Sequence, residues 1–171
     1  MKWKPSRDDF LWEVADHGRT TIKERSFSLE REALKASGIK EKRTVELYSN
    51  RIDSLYYPFI PSLLHSSDPV TKARILFDFL WATKPFRYEP GGPFRLSEVI
   101  NSQLDKESRT VGNCLGLTLL YNCLLQRAGL HVGTLFLENA FGIGPHVLTL
   151  LSTNESLIDI ENILPDGFDY K

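Results

Sequence analysis

Residues 112–130 read GNCLGLTLLYNCLLQRAGL, and the predicted architecture is built outward from them. From Cys114 to Gly129 the segment is rich in leucine and has no proline, which predicts a helix that Gly129 ends. Cys114 falls in the first turn of that helix. The positive end of the helix dipole and the free backbone N–H groups favour a thiolate there. The segment therefore predicts a helix with a reactive cysteine at its N-terminus.

Three apolar runs follow the cysteine helix, and their period changes from helical to alternating. They are residues 131–137, 146–151 and 157–160. Breaker-rich residues separate them at 142–145 and 152–156, and the second separator has the composition of a hairpin turn. The pattern predicts an antiparallel sheet of at least three strands packed on the cysteine helix, and hence an α+β fold.

Upstream of the cysteine, two helices and a long loop are predicted. Asp68 followed by Pro69 is a helix start, and the apolar stripe of that helix runs to just before Pro85. Residues 86–94 contain several proline, glycine and aromatic residues and predict a loop, and 96–104 predict a short helix or turn. A long aromatic loop just before a nucleophile can shape a substrate cleft.

The front of the chain is predicted to be helical as well. A short helix is expected over Phe10, Leu11, Val14 and Ala15, a second over 28–36, and a third from about Lys40 to Pro58. We therefore expect residues 1–65 to form a helical extension packed on the core, and residues 66–171 to form the core itself. Together they would make one compact domain.

Composition narrows the class of protein. The chain has 171 residues, 42% of them hydrophobic, and a net charge of −1, which describes one globular domain without an electrostatic case for nucleic acid or an anionic membrane. A secretory signal and a membrane-length apolar run are not found, so a cytoplasmic protein is expected. Cys114 and Cys123 would lie about 13 Å apart on one helix, too far for a disulfide.

The chemistry depends on three residues in the chain order Cys114, His146 and Asp159. A thiol nucleophile needs a base to take its proton, and the base needs a group that fixes its tautomer. His146 opens one predicted strand and Asp159 lies on the next. We expect Asp159 to orient His146, with Glu161 and Asn162 as the alternatives.

Further residues are expected around these three. The backbone N–H of Cys114 is the first oxyanion donor, and Tyr88 and Gln103 are candidates for the second. Trp81, Phe94 and Asn113 are candidates for the substrate cleft. The cysteines and histidines lack paired ligand spacing and the glycines lack a phosphate-loop pattern, so neither metal nor cofactor is expected.

The segment from Asp68 to Asn162 resembles the transglutaminase-like, papain-like cysteine peptidase core. The resemblance rests on Gly112-Asn113-Cys114-Leu115-Gly116, on Gly144-Pro145-His146-Val147-Leu148 and on Leu157-Ile158-Asp159-Ile160. Residues 96–101 and 121–130 also resemble the SirB1-like branch of this superfamily, whose members often lack a complete triad. The resemblance implies a nucleophile helix packed on a small antiparallel sheet, with Cys114, His146 and Asp159 as the triad.

The resemblance also implies a reaction. We expect a thiol-dependent acyl-transfer enzyme, most readily a peptidase or amidase that acts on a peptide or protein substrate through a Cys114 thioester. A non-catalytic protein-binding scaffold and a protein-glutamine transamidase or deamidase are the alternatives. The family usually continues with further strands after the aspartate, whereas only 160–171 follow here. Residues 168–170, after a turn signal at 165–167, could begin one more strand.

Overall fold

The computed structural model describes residues 28–140, 142 and 144–169. The helix predicted over Phe10 to Ala15 lies outside the described residues, as does Tyr170. Within them the structure is α+β, as predicted. The helices are α1 (Leu29–Ala36), α2 (Lys42–Tyr56), α3 (Ile60–Leu64), α4 (Pro69–Thr83), α5 (Leu96–Leu104) and α6 (Cys114–Arg127), with a 3₁₀ turn at Tyr57–Phe59.

The helix boundaries follow from local capping. The Asp68 carboxylate accepts hydrogen bonds from the N–H groups of Val70 and Thr71, so α4 begins at Pro69. After the C-terminal end of α6, Gly129 has a φ of 75°, which glycine adopts without strain. The helix α3 was not predicted. Its proline, Pro61, stands in the first turn, where a missing N–H costs nothing, and so starts a new helix.

The sheet consists of β1 (His131–Leu137), β2 (His146–Ser152) and β3 (Leu157–Ile160), in that order and antiparallel throughout. Its strands match the predicted ones to within one residue, and the prediction of a three-stranded antiparallel sheet is confirmed. Leu137 lies opposite His146, and Thr149 lies opposite Ile160. Phe168 forms an isolated bridge with Ile160, so the chain after β3 turns back along the sheet.

Helix α6 lies at the centre of the fold. It packs on β1 and β2 on one side and on α1, α4 and α5 elsewhere. Four of its leucines, Leu117, Leu120, Leu124 and Leu125, are buried almost completely, whereas Leu115 in the first turn is 38% exposed. This is expected of a helix that is covered on most of its sides. Two polar side chains, Thr118 and Asn122, are buried with them, at 0% and 1% exposure.

The described part of the front segment packs on the C-terminal end of α6. Leu34 of α1 and Ile52 of α2 are fully buried in the common core. Arg127, the last residue of α6, forms ion pairs with Glu30 of α1 and with Asp53 of α2. Among the described helices, none has both the length and the apolar character that crossing a membrane would require.

Candidate active site

The start of α6 is held by the loop before it, and two glycines make this contact possible. The carbonyl of Pro93 accepts a hydrogen bond from the N–H of Asn113 at 3.0 Å. A Cβ atom built on Gly112 or on Gly116 would lie 2.5 Å from that same carbonyl oxygen. Since real Cβ atoms do not approach so closely, only glycine lets the loop close on both sides of Cys114. The sequence around Cys114 therefore encodes a close backbone contact.

Cys114 is the first residue of α6 and is half-buried. Asn113 caps the helix by accepting a hydrogen bond from the N–H of Gly116 at 3.1 Å, and the Leu117 N–H binds the Asn113 carbonyl. Among the described residues, the N–H groups of Cys114 and Leu115 have no hydrogen-bond partner. Two backbone donors at the positive end of the helix thus remain for an anionic oxygen next to the thiol.

His146 is hydrogen-bonded to Glu161. The two side chains are 4% and 1% exposed, and Nε2 of His146 lies 2.6 Å from Oε2 of Glu161. The other carboxylate oxygen of Glu161 accepts a hydrogen bond from the N–H of Ile163 at 3.2 Å. A carboxylate held at both oxygens fixes the ring orientation and places the ring proton on Nε2. This pair has the form of a base with its orienting group.

The backbone of Glu161 is held tightly as well. Its N–H donates to the Gly167 carbonyl at 2.8 Å. A Cβ atom on Gly167 would come within 2.2 Å of the Glu161 carbonyl oxygen, so the turn after β3 can close only with glycine there. The turn predicted at 165–167 therefore fixes the carboxylate that contacts His146.

Asp159, which we expected to orient His146, is not brought to it. In the β2–β3 ladder Asp159 lies opposite Leu150, four residues along β2 from His146, or about 13 Å. Continuing the same register by two residues brings Glu161 level with Leu148, about half as far from His146. Burial, and then the negative charge of Asp169, raise the pKa of Asp159. Glu161 therefore occupies the place expected for Asp159.

Two hydrogen bonds fix how α6 lies along β2. The Thr118 hydroxyl donates to the Val147 carbonyl at 3.4 Å, and the Thr149 hydroxyl donates to Asn122 Oδ1 at 2.6 Å. From Thr118 to Asn122 the helix rises about 6 Å, and from Val147 to Thr149 the strand rises about 6.6 Å. The two elements therefore run side by side in the same direction, with four helix residues matching two strand residues. One turn earlier on α6, Cys114 comes level with the start of β2. That start is His146.

Tyr88 lies close to both ends of this arrangement. It forms a parallel bridge with Gly112, two residues before Cys114, and is half-buried. Burial, and then the negative charges of Cys114 and Glu161, raise the pKa of Tyr88. The hydroxyl is therefore near both groups and stays protonated at neutral pH. Tyr88 therefore remains a candidate for the second oxyanion donor.

The other predicted site residues have different surroundings. Gln103 is buried on α5, and its Nε2 donates to the Thr83 hydroxyl at the end of α4, while its Oε1 is buried without a hydrogen-bond partner among the described residues. Trp81 packs on the core and on Arg87. Phe94 is 50% exposed, and its Cα would lie 3.2 Å from a Cβ on Gly116, beside the start of α6.

Phe94 thus lies beside the first turn of α6, whereas Gln103 and Trp81 contribute to packing. Asn113, the third cleft candidate, uses its side chain to cap α6.

One set of functional candidates was missed in the sequence. Thr118 and Asn122 lie one and two turns after Cys114 on α6, so the three polar residues recur at a spacing of four. They form a buried hydrogen-bonded network with Thr149 and Asn162. Polar residues at this spacing in a leucine-rich helix were the available signal, since buried polar groups must be paired.

Arg87 is a buried charge beside the site loop. It is 2% exposed, and burial lowers the pKa of its guanidinium to about 9. Its carbonyl accepts from the N–H groups of Val111 and Gly112, and its side chain lies over the Trp81 ring.

Among the described residues, no three histidine, cysteine, aspartate or glutamate side chains are grouped so that they could hold a metal ion.

Comparison with known proteins identifies no relative of this chain. No protein-family model, no curated protein and no solved structure matches this chain. The functional conclusion therefore rests on the geometry described above.

Proposed function

We propose that this protein is a thiol-dependent acyl-transfer enzyme with a transglutaminase-like core. Cys114 is the nucleophile, His146 the general base and Glu161 the group that orients the base. The observation that carries the proposal is the buried His146–Glu161 pair at 2.6 Å, in line with a cysteine at the N-terminus of α6. A buried imidazole with a fixed carboxylate, level with a helix-terminal thiol, supports a thiol mechanism, in which the imidazole comes within hydrogen-bond reach of the thiol.

In the first step His146 Nδ1 takes the thiol proton while the Cys114 sulfur attacks the carbonyl carbon of an amide. The carbonyl oxygen becomes an oxyanion, and the N–H groups of Cys114 and Leu115 stabilise it with the Tyr88 hydroxyl. His146 then gives the proton to the leaving nitrogen, the C–N bond breaks, and a thioester remains on Cys114. Glu161 stabilises the imidazolium throughout.

In the second step an acceptor resolves the thioester. His146 takes a proton from water, the resulting hydroxide attacks the carbonyl, and the thiol is regenerated with release of a carboxylic acid. We propose hydrolysis of a peptide or protein amide as the natural reaction. A primary amine in place of water would give transamidation of a glutamine side chain, and the same first step followed by water would give its deamidation.

The assignment to a transglutaminase-like core is supported by the same residues. The chain order of cysteine, histidine and carboxylate, and the nucleophile helix packed on an antiparallel sheet, support a transglutaminase-like core. The third member is Glu161 in place of the aspartate that the resemblance implied. Two unpaired thiols, Cys114 and Cys123, suit a reducing compartment, and we propose a cytoplasmic location.

The proposal is tested by trapping the acyl-enzyme. The protein is incubated with an activated ester such as p-nitrophenyl acetate, and the acylated residue is located by mass spectrometry in the wild type, Cys114→Ala and Cys123→Ala. We expect one acyl group, on Cys114, in the wild type and in Cys123→Ala, and none on a thiol in Cys114→Ala. Adding a primary amine tests whether transfer competes with hydrolysis. Failure of Cys114 to acylate would overturn the proposal.

A second candidate is a protein-binding scaffold on the same fold. Phe86 and Phe94 are 66% and 50% exposed on the loop before α6, and such aromatic side chains are common in protein interfaces. In that case the ester would not acylate Cys114, and Phe86→Ala would weaken binding of a partner protein without changing thiol chemistry.

A further inference from the structure

We propose that Asn162 is a positioning residue that holds Glu161, and through it His146, against the nucleophile helix. The inference rests on the proposed roles of His146 and Glu161. Asn162 directly follows Glu161 and is 4% exposed. Its amide is the point where the end of β3, the histidine strand β2 and the cysteine helix α6 meet.

The amide of Asn162 makes one contact to each of these three elements. Its Nδ2 lies 3.2 Å from the Thr118 hydroxyl on α6, 2.9 Å from the Thr149 hydroxyl on β2, and 3.3 Å from the Ile160 carbonyl at the end of β3. All three partners are buried. A shift of Asn162 would therefore break contacts with the helix and with the strand together.

The donor directions in the network agree. The Thr118 hydroxyl donates to the Val147 carbonyl and the Thr149 hydroxyl donates to Asn122 Oδ1, so each oxygen has a lone pair left for Asn162. Asn122 in turn donates to the Gly133 carbonyl and to Thr134. An aspartate at 162 would have no hydrogens for either threonine. Satisfied buried networks of this kind fix one arrangement, which is what a catalytic carboxylate requires.

The network locates Asn162 beside the reacting groups. Thr118 is one turn from Cys114 on α6, and the Val147 carbonyl that it contacts belongs to the residue after His146. Asn162 thus ties the position of Glu161 to the same two elements that carry the thiol and the imidazole. Asn122 lies at the other end of the network, two turns from Cys114, and is buried to the same degree.

The test reads the His146 ring directly. The Nε2–H proton that His146 donates to Glu161 should give a downfield proton resonance that exchanges slowly with water and is lost in Glu161→Gln. In Asn162→Ala we expect exchange of this proton to speed up by about tenfold or more, because the carboxylate is no longer held. Thr118→Val removes the two hydrogen bonds of the hydroxyl, one from Asn162 and one to the Val147 carbonyl, without leaving a cavity. Because Asn162 keeps its contacts with Thr149 and Ile160, this variant should give a smaller acceleration of the same kind.

Asn122→Ala is the matched control, since it removes an equally buried amide of the same network. It should lower the urea midpoint as Asn162→Ala does, yet leave the exchange of the ring proton as in the wild type. Unchanged exchange in both Asn162→Ala and Thr118→Val, or equal acceleration in Asn122→Ala, would overturn the proposal. If Asn162→Ala does not fold, Thr118→Val decides alone. The ring proton is observed whether or not Cys114 acylates, so failure of the catalytic proposal is seen separately.

Discussion

At the scale of single residues, two carboxylates two positions apart have opposite surroundings. Glu161 is 1% exposed and contacts His146, whereas Asp159 lies opposite Leu150 and near Asp169. The buried charge of Glu161 is compensated by its hydrogen bond to His146. The charge of Asp159 is disfavoured by the neighbouring negative charge of Asp169. The two positions therefore allow a matched pair of isosteric amide substitutions.

The first prediction concerns reactivity of the thiol. Glu161→Gln keeps the shape of the side chain but loses the charge that, in our proposal, orients and stabilises the imidazolium. We expect the alkylation rate of Cys114 at pH 6 to fall by about tenfold or more. Asp159→Asn, the control, should alkylate as the wild type does. A normal rate in Glu161→Gln with a reduced rate in Asp159→Asn would mean that Asp159 is the orienting group.

The second prediction concerns stability. Because the pKa of Asp159 is raised in the folded state, the folded protein holds this proton more tightly than the unfolded chain does. Stability is therefore lost as pH rises through the range above the usual aspartate pKa. Asp159→Asn should raise the free energy of unfolding at pH 7 by roughly 0.5 kcal/mol or less, since the group is only partly buried and solvent screens its charge. At about pH 3 this gain in unfolding free energy should vanish, because the aspartate is then protonated in both states. Urea titrations at both values check it, and a gain confined to low pH would contradict the assignment.

The candidate nucleophile and base could be predicted at this scale, but the third member could not. Cys114 follows a cap residue at the start of an apolar run, and His146 opens a strand, so both are visible in the sequence pattern. Choosing between Asp159 and Glu161 requires the β2–β3 register and the path of the turn after Ile160. The local sequence predicts both the hairpin and the turn, but it does not specify the pairing register or which carboxylate reaches His146.

At the scale of elements, the beginning of α6 depends on its contact with the preceding loop. In most helices Gly→Ala adds about 0.5–1 kcal/mol of stability. At Gly116 the new methyl group would lie 2.5 Å from the Pro93 carbonyl oxygen and 2.6 Å from Val99 Cγ2. We therefore expect a different outcome there.

The third prediction is that Gly116→Ala lowers the free energy of unfolding by about 1–3 kcal/mol and slows Cys114 alkylation, because the loop must move away from the helix. Gly91→Ala is the control, since a Cβ there meets nothing within 4 Å. It should change the free energy of unfolding by about 0.5 kcal/mol or less. Urea unfolding measures both, and a stabilised Gly116→Ala would show that the contact is not tight.

The elements themselves were largely predictable. Asp68-Pro69 sets the start of α4, and Gly129 sets the end of α6. The alternating runs gave the three strands. The exception is α3, because Pro58 in the sequence predicts the end of helical structure. In the fold, the chain continues through a 3₁₀ turn into a short helix whose buried residue, Leu63, packs on the core. That packing is a tertiary contact, which a local pattern does not reveal.

At the scale of the whole molecule, one arginine joins three helices. Arg127 at the end of α6 donates to Glu30 of α1 and to Asp53 and Ser49 of α2. A cation at a helix C-terminus is also favoured by the dipole. The pattern of the first 65 residues predicted helices there, but it held no information on which core helix they would contact.

The fourth prediction is that Arg127→Met lowers the free energy of unfolding by about 2 kcal/mol or more, because it leaves partly buried Glu30 and Asp53 without their partner. Lys35→Met breaks the exposed pair with Glu32 and should cost about 0.5 kcal/mol or less. Urea titration compares the two. Since Arg127 lies at the opposite end of α6 from Cys114, thiol reactivity should be unchanged. Equal losses of unfolding free energy in the two variants would contradict a stabilising role for the ion pairs of Arg127 with Glu30 and Asp53.

The central claim is that Cys114 is activated by His146, and selective alkylation tests it most directly. The protein and His146→Ala are treated with iodoacetamide from pH 5 to 9, and modified cysteines are mapped by mass spectrometry. We expect Cys114 to react rapidly below pH 7 in the wild type alone. Cys123 should stay unmodified, since burial raises the pKa of its thiol. Slow labelling of Cys114 that rises only near pH 8.5 and is the same without His146 would contradict the account.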